Sequence, residues 1–367
     1  MAVDATPLLG APTGVGQFCA GLLGALATRG DVATRAFAVT WRRRRRLASV
    51  LPAGVDRWQR PMPARPLHWW WGHADRPPAE WFVGPVDVVH GTNFVVPPTR
   101  QAARVVTVHD LTTVRFPALC DAATSAFPDL IRRAVAGGAW IHTPSRFVAD
   151  EVIDTFAVDP QRVRAVHHGI PAAPTGAPAA RLQLPAGTAR YVVAVGTVEP
   201  RKDYPGLLAA FDAVAADHPD VALVIVGADG WGSDRFNDAL AASPTRHRVR
   251  RTGYLDNAAV ASVLADAAVL AYPSVYEGFG FPPLQAMAAG VPVVATAAGA
   301  VPEVVGDAAW LVPPGDRDAL AGALAGVLDD DDRRAALVAA GTRRAAAFTW
   351  AAAAAGLTDC YRAAATR

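Results

Sequence analysis

The sequence predicts an α/β protein of two domains, each a parallel sheet with helices on both faces, and three observations lead to this prediction. The chain has 367 residues, more than one hydrophobic core usually serves. Short apolar runs alternate with amphipathic stretches from end to end. The stretch at 171–189, PAAPTGAPAARLQLPAGTA, is rich in proline and alanine without apolar periodicity, which predicts a linker between two halves.

Ten apolar runs are the predicted strands: TRAFAV, DVVHG, RVVTVHD, AWIHT and RVRAV, then RYVVAVG, VALVIVG, RVRRTGY, AAVLAYPS and VPVVAT. Helices are predicted over Ala122–Ala136 and Tyr204–Asp217. The predicted domains are 1–170 and 190–349, and we expect a C-terminal helix at 350–367 to pack back on the first. Because Rossmann-like sheets bind ligands at the carboxyl ends of their strands, the two halves are expected to face each other across a cleft.

Composition excludes several classes of protein. The net charge of +2 argues against a dedicated nucleic-acid binder, and no apolar run approaches the ~18 residues of a membrane span. The N-terminus has no secretory pattern, and the three cysteines have no metal-ligand or redox spacing, so a cytoplasmic protein is predicted. The run Arg42–Arg46 is either a solvated loop or, with Trp69, Trp70 and Trp71 nearby, a patch for anionic lipid or a charged acceptor.

Lysine usage points to one position. Of 35 basic residues 34 are arginine, and Lys202 is the only lysine. It lies in VAVGTVEPRKDYPGLL (192–208), where a strand ends at Gly196 and a helix begins near Tyr204. Two adjacent cations, Arg201 and Lys202, are unfavourable at a helix start unless an anion is bound there. The pair therefore predicts a phosphate site, with an ordinary surface pair as the alternative.

A second motif, SVYEGFGFPPLQAMAAGVPVVAT (274–296), follows another predicted strand. Glu277 and the flexible Gly278–Gly280 precede a helix predicted at Leu284–Ala289, whose N-terminus would attract an anion. Glu277 and Gln285 bracket this helix start, and carboxylate and amide groups both suit recognition of a polyol. The motif predicts a site for a phosphorylated or polyhydroxylated ligand.

Two weaker signals lie in the first half. APTGVGQF (11–18) places Gly14 and Gly16 in a predicted turn, but Cys19 stands where a dinucleotide motif needs its third glycine, so NAD binding is disfavoured. VVTVHDLTTVRFP (105–117) places His109 and Asp110 just after a buried strand, where His109 would contact a sugar hydroxyl or a phosphate, or pack as a structural residue.

Together these motifs resemble retaining glycosyltransferase family 4, two-domain GT-B enzymes related to bacterial GDP-mannose-dependent mannosyltransferases. The resemblance covers nearly the whole chain, since AVPEVVGDAAWLVPPGD (300–316), TPLLGAPTGVGQF, TPSRFVADEV and HHGI also fit. One departure is Gln285. It stands where the family has the second glutamate of a pair eight positions apart, and in the family that glutamate normally holds the ribose hydroxyls.

The resemblance implies a role for each matching residue. Arg201 and Lys202 would hold the donor diphosphate, and His109 would lie beside the reacting sugar and the acceptor. Glu277, with the backbone of Gly278, Phe279 and Gly280, would hold sugar hydroxyls. The other implied donor contacts are Gly14, Gly16, Gly196, Thr197, Gly227, Thr252, Gly253, Tyr254, Leu284 and Gln285, of which Gly227 and Thr252–Tyr254 would line the base pocket. The implied acceptor-side residues are Thr92, Asn93 and Asp110.

Two features that the sequence lacks indicate the mechanism. There is no strand-end DxD for a metal, and no carboxylate stands out as a covalent nucleophile. We therefore expect metal-independent, front-face transfer of the sugar. The resemblance implies that the donor is GDP-mannose, that no cofactor takes part, and that the hexose passes to a glycan or polyprenol-linked acceptor in cell-envelope polysaccharide synthesis. Peripheral contact with the inner membrane face is expected through Arg42–Arg46 if that run is a lipid-binding patch. The alternatives are a UDP-sugar-dependent transferase, a nucleotide-sugar epimerase of the same fold, or a non-catalytic binder.

Overall fold

The computed structural model describes residues 1–10, 13–58, 60–120, 124–171 and 182–366. The chain divides into two compact units: Met1–Gly169 with Phe348–Arg367, and Ile170–Ala347. Most of the predicted linker, residues 172–181, lies outside the described residues. None of the described helices combines the length and the apolar character that a membrane span requires.

The first unit is built on a parallel sheet with seven strands among its described residues. The strands are β1 (Ala2–Asp4), β2 (Arg35–Phe37), β3 (Asp56–Arg57), β4 (Val88–Gly91), β5 (Ala103–Thr107), β6 (Trp140–Thr143) and β7 (Val163–Ala165). The α-helices of its N-terminal segment are α1 (Gly14–Ala27), α2 (Leu47–Val50), α3 (Ala64–His73), α4 (Glu80–Val83), α5 (Thr112–Arg115), α6 (Phe127–Ala136) and α7 (Arg146–Phe156). The strand order is β3-β2-β1-β4-β5-β6-β7.

The second unit is built on a parallel sheet with six strands within the described part of the chain. The strands are β8 (Arg190–Val195), β9 (Val221–Val226), β10 (Val249–Gly253), β11 (Val269–Tyr272), β12 (Val293–Thr296) and β13 (Trp310–Val312). The helices are α8 (Tyr204–Asp217), α9 (Asp234–Ala242), α10 (Asn257–Ala265), α11 (Phe281–Ala288), α12 (Val301–Val305), α13 (Arg317–Asp329) and α14 (Asp331–Ala345). The strand order is β10-β9-β8-β11-β12-β13.

Both sheets reverse their winding direction once, and the reversal positions the candidate sites. In open parallel sheets a ligand binds outside the carboxyl ends of the strands at the point of reversal. That point lies between β8 and β11 in the second unit, and between β1 and β4 in the first. The loops that follow these four strands contain most of the sequence motifs described above.

The second sheet is apolar on both of its faces. All six residues of β9, VALVIV, are buried, which is the pattern of a strand covered from both sides. Over the sheet α8 and α13 pack against each other, burying Leu207, Phe211 and Leu324, while α11 contacts β11 and β12. Each such large apolar side chain contributes roughly 1.5–3 kcal/mol through burial. This packing holds the turns after β8 and β11 in place.

A final helix, α15 (Trp350–Ala365), belongs to the first unit and packs against α1, β5 and β6. The Trp350 ring lies so close to Gly21 of α1 that any larger residue there would overlap it. At the other end of α15, Tyr361 is buried and its hydroxyl lies 2.8 Å from His90 Nδ1. The helix is therefore anchored to the sheet by packing at one end and by a buried polar contact at the other.

That polar contact begins a hydrogen-bonded chain through the core of the first unit. His142 Nε2 lies 3.1 Å from the Val166 carbonyl, which only accepts, so Nε2 carries the proton and Nδ1 accepts from the Thr107 hydroxyl at 2.9 Å. The Thr107 oxygen then accepts from His90 Nε2 at 2.8 Å, and His90 Nδ1 accepts from Tyr361. Every group has its partner only while both imidazoles are neutral.

The structure contains all ten predicted strands and differs from the prediction in a few elements. The sheets also contain three short strands that are not among those ten runs: β1 in the middle of the first sheet, and the edge strands β3 and β13. Helix α11 begins at Phe281 rather than Leu284, because Pro282 and Pro283 fit a first helical turn. Helix α6 begins at Phe127 rather than Ala122, and residues 122 and 123 of that predicted helix lie outside the described residues.

Candidate active site

The turn after β8 brings the two predicted cations to the carboxyl end of the sheet. Gly227, with φ of 157°, lies so close to this turn that a Cβ atom there would overlap the Gly196 carbonyl oxygen, so only glycine fits. The chain then makes a 3-10 turn over Pro200–Lys202, and Asp203 caps α8 by accepting the Gly206 N–H at 3.2 Å. Arg201 and Lys202 therefore lie before the α8 N-terminus, as predicted.

The turn after β11 lies beside it, because β8 and β11 are neighbours in the sheet. The Val275 N–H donates to the Arg201 carbonyl at 2.9 Å, which joins the two turns directly. The Ala300 N–H donates to the Glu277 carbonyl at 2.8 Å and fixes the backbone that carries this carboxylate. Gly280, with φ of 100°, then turns the chain into α11.

The side chains of these two turns form a compact ionic cluster. Glu277 Oε1 lies 2.5 Å from Lys202 Nζ, and Glu277 Oε2 lies 2.7 Å from Arg201 Nη1. Arg201 Nη2 also donates to Glu199 Oε1 at 2.7 Å, and Lys202 Nζ lies 3.3 Å from the Tyr272 hydroxyl. Lys202 is 8% exposed and Glu277 is 7% exposed. The cluster therefore holds two cations and two carboxylates in a largely desolvated place.

Burial and charge act in opposite directions on the ionisation of this cluster. Burial by itself would raise the pKa of Glu277, but the charges of Arg201 and Lys202 outweigh it and lower that pKa to about 2. Burial lowers the pKa of Lys202 below its ordinary value, and the Glu277 carboxylate partly opposes this shift. Burial also raises the pKa of Tyr272 well above its ordinary value, so its hydroxyl stays protonated. Glu277 is thus an anion throughout the neutral range.

The cluster corrects one step of the sequence argument. We expected the two cations to be unfavourable unless an anion was bound, but Glu199 and Glu277 already neutralise them within the chain. The α11 N-terminus is also a weaker donor than expected, because Pro282 and Pro283 occupy two of its first positions and have no N–H. Any anion bound here would meet the cationic side chains more than the helix.

The other predicted donor residues of the second unit divide by exposure. Gly227 and Gly253 come together, since the Gly227 N–H donates to the Gly253 carbonyl at 3.0 Å, and the Thr252 hydroxyl donates to the same carbonyl at 2.8 Å. The side chains of Thr197 and Tyr254 are exposed, and that of Gln285 is half-buried. Leu284, Gly278 and Phe279 are buried. The Leu284 side chain therefore belongs to the core, and only its backbone is available to a ligand.

The glycine motif of the first unit is placed differently from the prediction. Gly14 and Gly16 were expected in a turn, but they form the first turn of α1. Thr13 caps this helix by accepting the Gly16 N–H at 3.3 Å, so that N–H is already used. Gly14 is exposed and Gly16 is buried, while Ala11 and Pro12 of the motif lie outside the described residues.

His109 follows β5, and its ring is held by a hydrogen bond and by packing against the rings of Phe18 and Phe94. Its Nε2 lies 2.8 Å from the Thr92 carbonyl, so Nε2 donates and, in the neutral ring, Nδ1 is an acceptor. Burial lowers the pKa of His109, although the Thr92 carbonyl and Asp110 oppose the shift. Asp110 accepts the N–H of Thr112, the first residue of α5, at 2.9 Å, and the Thr92 hydroxyl donates to the Asp4 carbonyl at 2.7 Å. These last two side chains have structural partners.

Three groups of these sites were not singled out from the sequence. Glu199 and Tyr272 contact the two cations, and Glu199 stands close enough to Arg201 that their pairing was foreseeable. Asp4 lies at the end of β1, and its carboxylate accepts the hydroxyl and the N–H of Thr6 at 2.5 and 2.8 Å. The position of Asp4, a carboxylate at the end of a strand beside the reversal point, is the signal by which the sequence could have identified it. Among the described residues, no group of three or more His, Cys, Asp or Glu is arranged as a metal site.

Two family models match the chain, one to each half. Residues 12–173 match Glycosyltransferase Family 4, and residues 180–344 match Glycosyl transferases group 1. The O-antigen chain mannosyltransferase B of Escherichia coli is 30% identical over 241 residues, which is 64% of this chain and 63% of that protein. The MMP α-(1→4)-mannosyltransferase of Mycolicibacterium hassiacum is 33% identical over 194 residues, 51% of this chain and 44% of that protein. The match thus covers less than two thirds of either relative.

Solved structures show the same fold. Sucrose-phosphate synthase from Thermosynechococcus elongatus superposes with a TM-score of 0.74 at 21% identity, over 98% of each chain. HepE of Anabaena, solved in complex with UDP-glucose, superposes with a TM-score of 0.73 at 16% identity, also over 98% of each chain. With both halves matched by family models, the chain belongs to the glycosyltransferases of GT-B fold, a family 4 domain followed by a group 1 domain.

Proposed function

We propose that the protein is a retaining hexosyltransferase that takes its sugar from a nucleotide diphosphate, without a metal or a cofactor, and passes it to a glycan or lipid-linked glycan. The observation that carries this proposal is the buried cluster of Arg201, Lys202 and Glu277 at the reversal point of the second sheet. It offers two cations for a diphosphate and a carboxylate for sugar hydroxyls within one hydrogen-bonded group.

The two Glu277 oxygens mark positions that anionic oxygens can occupy beside Arg201 and Lys202. In the proposed reaction donor phosphate oxygens take these positions, and Glu277 turns to the sugar hydroxyls. The bond between the anomeric carbon and the diphosphate breaks, while the acceptor oxygen bonds to that carbon from the same face. The acceptor proton passes to the departing phosphate, whose added negative charge the two cations stabilise.

On the acceptor side we propose that His109 contacts the reacting sugars. Because Nε2 is held by the Thr92 carbonyl, Nδ1 is an acceptor for a sugar hydroxyl. Its pKa is lowered, which favours the neutral ring that can accept in this way. The proposed role is therefore orientation of a hydroxyl rather than proton transfer.

The donor is proposed to be GDP-mannose. Two relatives are named as mannosyltransferases, which supports mannose. The complex of HepE with UDP-glucose keeps a UDP-sugar as the second candidate. Thermal shifts with GDP, UDP and ADP would separate these, since a ligand at 100 times its Kd adds about 2.7 kcal/mol to stability.

We expect GDP to give the largest thermal shift, and GDP-mannose with EDTA present to support transfer to a mannose-containing acceptor at an unchanged rate. An epimerase would instead convert the donor to an isomeric sugar nucleotide when no acceptor is present. Loss of transfer in EDTA that added divalent metal restores would contradict the metal-independent mechanism. Inversion at the anomeric carbon, seen by NMR of the product, would contradict retention.

Gln285→Glu is expected to lower the Kd for GDP about five- to tenfold. A carboxylate accepts hydrogen bonds from both ribose hydroxyls and makes charge-assisted bonds, worth about 1 kcal/mol more than the amide's. The Gln285 side chain has no hydrogen-bond partner among the described residues, so the substitution breaks no internal contact. The control ligand is 2′,3′-dideoxyguanosine diphosphate, whose Kd should not change. Equal gains for both nucleotides would show that Gln285 does not face the ribose.

We also propose that the run Arg42–Arg46 contacts anionic lipid. Arg43 and Arg44 donate to the carbonyls of Leu9 and Trp41 at 2.8 and 2.5 Å, while Arg42, Arg45 and Arg46 are exposed, as is Trp41. Each arginine near an anionic surface contributes about 1 kcal/mol. R42A/R45A/R46A should therefore weaken binding to phosphatidylglycerol vesicles about 100-fold in co-sedimentation.

The matched control, R246A/R250A/R343A, removes three exposed arginines of the second unit. It should bind the anionic vesicles as the parent protein does, and neither protein should bind phosphatidylcholine vesicles. An equal loss of vesicle binding in both triple variants would show a general effect of net charge and would contradict a specific lipid contact at Arg42–Arg46.

A further inference from the structure

A cavity of about 670 Å³ lies within the first unit, at the reversal point between β1 and β4. Asp4 ends β1, Asn93 follows β4, and both line the cavity, whose other walls come from α3 and α6. The fold therefore places it where doubly wound sheets bind their ligands. Its volume is within the range of sites that enclose a ligand of several rings.

Aromatic rings form one side of this cavity. Trp69 and Trp71 of α3 and Phe127 of α6 line it. Trp71 is buried and its indole N–H donates to the Pro77 carbonyl at 3.0 Å, so its ring is fixed. Trp69 is 62% exposed and stacks on His73 at 4.7 Å between ring centroids. Such faces pack against the C–H faces of pyranose rings, which are apolar.

The floor of the cavity is polar. The Thr6 hydroxyl accepts the Val39 N–H at 2.8 Å and donates to Asp4 Oδ1, so its direction is determined. Asp4 is only 8% exposed, and its Oδ2 has no hydrogen-bond partner within the described part of the chain. Oδ2 and the Asn93 side chain are thus acceptor and donor groups that face a ligand, as recognition of hydroxyl groups needs.

The charges at the cavity oppose an anionic ligand. Of the described residues that line it, Arg133 is the one arginine or lysine, and Asp75 lies 3.6 Å from its guanidinium group. Asp4 and Asp129 add two carboxylates to the wall. Burial raises the pKa of Asp4 to about 6, although its bonds to Thr6 oppose the shift, so it is mostly ionised at neutral pH. Arg133 Nε has no hydrogen-bond partner in the described part of the chain, so a phosphate would find one cation to pair with, but it would also meet the carboxylates of Asp4, Asp75 and Asp129.

We propose that this cavity binds the terminal pyranose units of a neutral glycan, the acceptor of the transfer reaction proposed above. It would reject phosphorylated sugars and phosphorylated polyols. The cavity is joined to His109 within the same unit. Asn93 follows Thr92, whose carbonyl holds His109 Nε2, and Phe94 stacks on Phe127 at 4.5 Å while meeting the His109 ring edge-on at 5.7 Å. A sugar in the cavity therefore lies along the wall that positions His109.

The test is binding of neutral di- and trisaccharides with mannose, glucose or galactose ends, followed by tryptophan fluorescence and by saturation-transfer NMR. The whole protein should bind at least one of them saturably, and bind its 6-phosphate derivative or inositol 1-phosphate at least about tenfold more weakly. Trp69→Ala should raise the Kd about tenfold by removing a stacking face.

Trp70→Ala is the matched control, because Trp70 is the next residue of α3, is 50% exposed and does not line the cavity. Its Kd should stay within about twofold of the parent value. Asn93→Ala provides a second variant, at one of the polar groups that line the cavity, and should also weaken binding. No saturable binding of any neutral sugar, tighter binding of the phosphorylated ones, or equal losses in the two tryptophan variants would each overturn the proposal.

Donor-side measurements keep this proposal separate from the proposed function. Trp69→Ala should raise the KM for a neutral acceptor and leave the Kd for the nucleotide unchanged. If the parent protein neither binds nor hydrolyses any nucleotide sugar, the proposed function fails, whatever the sugars do. If nucleotide binding is intact and neutral sugars do not bind, only the cavity assignment fails.

Discussion

Lys202→Ala is expected to lower kcat for sugar transfer about 100- to 1,000-fold, with a smaller effect on the KM for the donor. Charge grows on the departing diphosphate in the transition state, and a fixed cation in a desolvated place stabilises that charge more than it stabilises the bound donor. Lys202 is buried and is held by Glu277 and the Tyr272 hydroxyl, so its position is already set before the donor arrives.

The variant should fold, because Glu277 keeps its pairing with Arg201 at 2.7 Å. Its melting temperature, followed by circular dichroism, separates lost activity from lost structure. Lys202→Arg should recover little activity, since a planar guanidinium cannot replace a compact ammonium between two oxygen partners. Arg343→Ala, which removes an exposed cation of the same unit, should match the parent protein. Full activity of Lys202→Ala would overturn the proposed mechanism.

Lowering the pH from about 8 to about 5 is expected to destabilise the first unit well before the second. Burial lowers the pKa of His142 from 6.5 to about 3, and it lowers those of His90 and His168 well below 6.5. These rings stay neutral in the folded unit, whereas the unfolded chain takes up protons below about pH 6.5. Stability is therefore complete above that pH and is lost as the pH falls, by about 2 kcal/mol at pH 5 for His142 alone.

Two other buried groups, Asp4 and Glu277, also change the stability of the units as the pH falls, and the direction of each effect follows from the direction of its pKa shift. Asp4, whose pKa is raised to about 6, binds its proton more readily when folded and so returns about 1 kcal/mol at pH 5. In the second unit Glu277 has its pKa lowered to about 2, so its contribution is present above its ordinary pKa of 4.5 and is lost only as the pH falls toward 2. Three buried histidines outweigh Asp4, and the first unit should open first.

Hydrogen exchange followed by mass spectrometry at each pH would report the two units separately. His142→Asn keeps an acceptor for the Thr107 hydroxyl but cannot titrate, so it should flatten the pH dependence of the first unit. His247→Gln, at an exposed histidine of the second unit, should change nothing. Simultaneous opening of both units, or no change in the first above about pH 4, would contradict the role assigned to the buried imidazoles.

The sequence predicted the fold well because its central strands are covered on both faces. A run such as VALVIV needs no partner to be recognised, whereas β3 is two exposed residues, Asp56 and Arg57, and looks like any loop. The family resemblance came from motifs that follow β8 and β11, and the strand order brings those motifs together.

The pairings inside the sites could not be predicted in the same way. Glu277 and Lys202 are 75 positions apart, and their contact depends on β8 and β11 being neighbours. The Leu284 side chain lies on the face of α11 that also buries Pro283 and Met287, and which face of this helix meets the core depends on packing against the sheet. The cavity of the first unit requires α3 and α6 to come together at the ends of β1 and β4, and no local pattern indicates that.

Lysine usage has a practical consequence for studying the molecule in solution. Lys202 carries the only side-chain amine in this sequence, so an acylating reagent labels a lysine in one internal peptide. The ammonium must leave Glu277 and lose its proton before it can react, so the acylation rate measures how often that pairing opens. A bound diphosphate should slow this acylation, which makes the rate a footprint of donor occupancy that needs no engineered probe.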